Sequence, residues 1–202
     1  MRLVLRADRC CVIAGVALLL FGCAARDPYV NSVTPLNAGE WTAEKHLDRT
    51  TGTPISNSML VTRNVSYGAI VFPPPARLQL ICFKERPAVI VGFDFKIGST
   101  RNAEVAYRFD DKPGHQPHAR IVDDHKSVLI EDPKEVSLFI SELAAANNLY
   151  LRVRALTAPR TSAEFKVAGA PAAIASAYAS CPLNAATAAN AKASPAEPDD
   201  DD

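Results

Sequence analysis

The sequence predicts an α+β domain, a mostly antiparallel β-sheet or sandwich, with two helices in its C-terminal half. Three observations carry that expectation. Short runs rich in β-branched and aromatic residues alternate in polarity between residues 41 and 109, proline, glycine and asparagine punctuate them, and helical spacing of apolar residues begins only after residue 132.

Residues 41–49 read as a first strand, a Thr-Thr-Gly-Thr-Pro turn follows at 50–54, and a second strand is expected over 58–64. Pro73-Pro74-Pro75 stops any ladder, because proline has no N–H to donate. Residues 77–83 alternate so that Leu78, Leu80 and Cys82 share a face. Residues 88–95 place Val89, Val91, Phe93 and Phe95 together, and the Glu85-Arg86-Pro87 break predicts a short hairpin between these two strands. In residues 104–109, Val105, Tyr107 and Phe109 lie on one side and Glu104, Ala106 and Arg108 on the other; residues 110–116 then turn.

Asp132-Pro133 opens a helix, with aspartate as its cap, proline at the first helical position and Glu135 completing a capping-box pattern. Val136, Phe139, Ile140, Leu143 and Ala144 repeat at helical spacing, and Asn147-Asn148 ends the run. Residues 149–156 alternate Leu149, Leu151, Val153 and Ala155 against Tyr150, Arg152, Arg154 and Leu156, and residues 163–167 form another strand. A last helix over 171–181 carries Ile174, Ala175, Tyr178 and Cys181 on one face, so Cys82 would staple it to the sheet.

The ends differ from the middle. Arg2, Arg6 and Arg9 precede an apolar run over residues 10–21, too short to span a bilayer and suited to a signal-peptide core. It closes in Leu20-Phe21-Gly22-Cys23, which resembles the lipobox of bacterial lipoproteins. That resemblance implies cleavage before Cys23, acylation of its thiol and amine, and, with Ala24 rather than aspartate next, sorting to the outer membrane facing the periplasm. The expected organisation is a signal peptide at 1–22, a flexible tether at 23–40, one domain at 41–182 and a disordered acidic tail at 183–202 that ends in four aspartates.

Once Cys10 and Cys11 leave with the signal and Cys23 is acylated, Cys82 and Cys181 remain, and an oxidising compartment pairs them in one disulfide. Charge is balanced, with 22 Lys+Arg against 22 Asp+Glu, which argues against nucleic acid as a partner.

Leu80-x-Cys82, the strand at 88–95, Val105-x-Tyr107-Arg108-Phe109-Asp110, a helix before Leu151-x-Val153-Arg154, and Phe165-x-Val167-x-Gly169 before Cys181 together resemble the TagO/VasI-type periplasmic proteins of type VI secretion clusters. The resemblance spans residues 41–181. It implies a periplasm-facing β-rich domain with a Cys82–Cys181 bridge, serving as an accessory module of an envelope assembly.

Asp110, Asp111, His115, His118, Asp123, Asp124 and His125 concentrate metal-ligating residue types, yet their spacing fits no metallohydrolase; a polar solvated loop without metal is expected. No Gly-x-Ser-x-Gly elbow, phosphate loop or dinucleotide motif is present, so neither catalytic residues nor a cofactor are expected. Arg108, Arg152 and Arg154 are the candidate partner-binding residues, set against local pairing with Asp110 or Glu164. The functional expectation is a non-catalytic binding module, held to the membrane by Cys23 and meeting an envelope protein. The alternatives are a cell-wall or small-ligand binding lipoprotein and a metal-dependent hydrolase.

Overall fold

Strands and helices alternate with loops in the order β1 (Val30–Pro35), β2 (Thr42–Leu47), β3 (Pro54–Thr62), β4 (Val65–Tyr67), β5 (Ala76–Phe83), β6 (Arg86–Gly92), β7 (Ala103–Phe109), β8 (Arg120–Val122), β9 (Ser127–Ile130), α1 (Pro133–Leu143), β10 (Asn148–Ala155), β11 (Thr161–Lys166) and α2 (Ala170–Ala177). The structure is a computed structural model that describes residues 30–35, 40–68, 70–181 and 183. The expected signal peptide, Cys23 and the aspartate tail lie outside those residues.

The strands form two sheets, one seven-stranded in the order β1-β2-β3-β5-β6-β9-β8 and one four-stranded in the order β4-β11-β10-β7. Every pairing is antiparallel. Alternation explains the core. Leu60, Leu78, Val91 and Val128 stand opposite one another across four neighbouring strands of the large sheet. Val105, Tyr107 and Phe109 meet Val153, Leu151 and Leu149 in the small one. All are buried and belong to one apolar cluster, and each fully buried large side chain contributes about 1.5–3 kcal/mol.

The helices complete that cluster. Asp132 caps α1 by accepting from the N–H groups of Lys134 and Glu135 at 2.9 and 3.2 Å, and Pro133 opens it. Val136, Phe139, Ile140 and Leu143 are its buried residues, and Phe139 meets Tyr107 and Phe109 edge-on at 4.9 and 5.0 Å between centroids. The second helix, α2, packs against β2, β3 and β5. Ser58 donates to the Ala173 carbonyl at 2.9 Å and Tyr178 to the Ala88 carbonyl at 2.8 Å, so both buried hydroxyls are satisfied. The Cys82–Cys181 disulfide, Cα–Cα 5.8 Å, ties the chain just past α2 to β5 across 99 positions.

Several elements differ from the sequence expectations. Residues 30–35, expected within a tether, pair with β2 as an edge strand; β2 would otherwise present a row of unpaired backbone groups. Neither β4, β8 nor β9 was expected, since three or four residues are too few to show a period. The β5–β6 turn is Lys84-Glu85, with φ of 51° and 60°, and Arg86 and Pro87 belong to β6. Two central residues at positive φ give a turn whose twist matches the strands. The last helix starts at Ala170 and buries Ala170, Ala173, Ile174 and Ala177, while Ala175 is exposed and Cys181 lies beyond its end.

Candidate functional site

The inner face of the small sheet is buried, so strand alternation turns every second residue of β7, β10 and β11 outward. Register sets the outward rows. Tyr150 stands between Arg108 and Glu164, Arg152 between Ala106 and Ser162, and Arg154 opposite Glu104. Arg108 and Arg154 are exposed, Arg152 is half-buried, and Tyr150 is 39% exposed. The three expected binding arginines therefore share one face, with Arg152 and Arg154 about 7 Å apart along their strand. Concavities of about 240 and 410 Å³ flank Tyr150; Arg108 lines both and Arg152 the smaller.

The nearby carboxylates make no salt bridge to these guanidinium groups among the described residues. Glu104 accepts from the Gln116 amide at 3.0 Å, and Glu164 from the Asn64 amide at 2.9 Å. Asp110 accepts from the backbone N–H groups of Asn147 and Asn148 at 3.2 and 2.8 Å, which hold its carboxyl below the ordinary carboxylate range. The side chains of Arg108, Arg152 and Arg154 make no ion pair or hydrogen bond with another described residue. Each fork is thus available for two parallel hydrogen bonds to a planar acid.

The histidine-rich segment is taken apart by the fold. His115 Nε2 lies 3.0 Å from Glu142 Oε1, His125 Nδ1 donates to the Gly98 carbonyl at 3.0 Å, and His118 is exposed. Asp124 pairs with Lys96, and Asp123 accepts from Ser127. Among the described residues no group of three or more histidine, cysteine or acidic side chains is placed to hold a metal. Part of the expected loop is strand β8, followed by Asp123-Asp124-His125 at positive φ.

One cluster escaped sequence reasoning. Tyr107, His115 and Glu142 come together where the chain after β7 folds back and hydrogen-bonds to Tyr107 through both backbone groups of His115. The Tyr107 and His115 rings lie 5.2 Å apart, and the Tyr107 hydroxyl and Glu142 Oε2 are buried without a partner among the described residues. Burial, then the charges of Glu142 and Glu135, push the Tyr107 hydroxyl well above the usual phenol range. The cluster docks residues 110–116 onto α1. Its only signal in the sequence was His115 itself, because Glu142 arrives through helix packing.

Cys82 and Cys181 are joined, which leaves neither as a free thiol. No described helix is long and apolar enough to cross a membrane. The chain matches no protein-family model, no curated protein and no solved structure.

Proposed function

We propose that this chain is a non-catalytic binding module of the bacterial envelope, and that Arg108, Arg152 and Arg154 form the surface on which a carboxylate-bearing protein partner docks. One observation carries the reading: three guanidinium groups share a rigid sheet face without a salt bridge to a described residue, while Glu104, Glu164 and Asp110 are each engaged by an amide or a backbone N–H and Asp111 lines the larger concavity beside Arg108. Tyr150 adds an amphipathic anchor at the centre, the residue type enriched at binding surfaces because it orders at low entropic cost. In this reading Cys23 carries the lipid that keeps the module at the outer membrane facing the periplasm. The resemblance to TagO/VasI-type proteins makes a type VI secretion assembly the first place to look for the partner.

Two experiments test the two halves. Labelled palmitate enters the wild type and not Cys23→Ser; absence of label from the wild type removes the anchor. Arg152→Ala combined with Arg154→Ala abolishes recovery of cross-linked partner from whole envelopes without changing the melting temperature. Unchanged recovery in a folded double variant moves the docking surface elsewhere, and co-sedimentation with purified cell-wall sacculi alone replaces the protein partner by the wall.

A further inference from the structure

The end of the sandwich where β3, β10 and β6 finish, and where β5 and β7 start, is built from loops with an unusual surface. Val71, Phe72 and Leu156 are 81%, 90% and 92% exposed, and Ile70 is 45% exposed beside them. Scattered exposed apolar residues are ordinary, but a group on adjoining loops marks an interaction site. Pro73-Pro74-Pro75 follows Phe72 directly and locks three successive φ angles. The Gly68 N–H donates to the Arg160 carbonyl at 3.3 Å, and the Ile70 N–H to the Tyr67 carbonyl at 3.0 Å, so the loop after β4 is fastened to the β10–β11 loop. Beneath it, the Tyr67 and Phe95 rings stack at 4.0 Å. The apolar side chains are therefore displayed by a braced scaffold.

The loops that carry them, residues 68–75, 93–102 and 156–160, contain Lys96, Arg101 and Arg160 against one acid, Asp94, which pairs with Arg77. Lys96 in turn pairs with Asp124 of the neighbouring β8–β9 loop, where Asp123 accepts from Ser127, so Arg101 and Arg160 are the cations left beside the apolar tips. Neither arginine side chain makes an ion pair or hydrogen bond with another described residue. Exposed aliphatic and aromatic tips rimmed by unpaired cations complement the interface of a bilayer, where acyl chains lie just below anionic phosphates.

We propose that Ile70, Val71, Phe72 and Leu156 insert shallowly into an anionic phospholipid membrane, with Arg101 and Arg160 on the lipid phosphates. The contact does not require acylation of Cys23, and in an acylated protein it is a second, separate point of attachment.

The test places a reporter at the tip of the full chain. Trp41 is the one native tryptophan and is buried, so it supplies a constant background. Phe72→Trp, and independently Leu156→Trp, are mixed with vesicles of phosphatidylethanolamine and phosphatidylglycerol that carry lipids brominated near the headgroup end of the acyl chain. The expected result is a blue shift and at least twofold quenching of the added tryptophan, reduced by Arg101→Glu with Arg160→Glu and in pure phosphatidylcholine. An unshifted, unquenched reporter in protein that sediments with the vesicles overturns the tip contact while leaving the lipid anchor intact. A blue shift that needs no vesicles and grows with protein concentration overturns it in favour of a second copy of the chain. Protection seen only in native envelopes and lost on protease treatment overturns it in favour of a protein socket.

Discussion

The end of the domain that carries the helices and the outer face of the small sheet use charged side chains in opposite ways. At the helical end, carboxylates are spent on the backbone. Asp48 accepts from the N–H groups of Thr50 and Thr51, Asp110 from those of Asn147 and Asn148, and Asp132 from the first turn of α1. On the sheet face, the side chains of Arg108, Arg152 and Arg154 make no ion pair or hydrogen bond with another described residue. The difference teaches where to look for stability and where for recognition. A charge that satisfies a buried or terminal N–H is structural, and a row of charges left unpaired on a rigid strand is available to a partner.

The largest expected effect lies at the helical end. Cys181→Ala opens the Cys82–Cys181 loop of 99 positions and is expected to lower unfolding free energy by about 4–5 kcal/mol on the chain-entropy model. Denaturant titration with and without reductant measures it. Next, Phe139→Ala removes the ring wedged against Tyr107 and Phe109 and should cost about 3–5 kcal/mol. Asp132→Ala, which strips the cap from α1, should cost about 1 kcal/mol in the same assay.

A pH series sharpens the contrast further. Backbone N–H groups of Thr51 and of Asn147 are the leading causes that lower the Asp48 and Asp110 carboxyls in the folded state. Their contribution is therefore complete above the ordinary carboxyl range and is lost as pH falls through the lowered folded values. Asp110→Asn should flatten the acid limb of stability against pH, measured by thermal melts between neutral and strongly acidic buffer. At the other extreme, replacing Arg108, Arg152 and Arg154 together by alanine should shift stability by no more than about 0.5 kcal/mol per site. A large loss there would break the comparison, because it would make the arginines structural.

How far these regions were legible in the sequence follows from the range of the interactions that make them. The faces of β5, β7 and β10 could be read because alternation is local, and α1 because Asp132, Pro133 and Glu135 announce its start within four residues. Edge strand β1 and the short strands β4, β8 and β9 exist only through partners elsewhere in the chain. The Lys84-Glu85 turn lacks the glycine or asparagine that usually marks positive φ. For the site, outward projection of Arg152 and Arg154 was readable from Leu151 and Val153. That their neighbours are unavailable was not, because Glu164 is held by Asn64, 100 positions away. Likewise, the Tyr107, His115 and Glu142 cluster needs a helix to reach a turn.

The most direct measurement of the docking claim is light-driven label transfer from a photo-crosslinking residue at position 150, between the two concavities, in intact envelopes. The account predicts a discrete protein adduct with wild-type arginines and its loss in the folded Arg108→Ala, Arg152→Ala, Arg154→Ala variant. The same adduct at undiminished yield in that variant would contradict it.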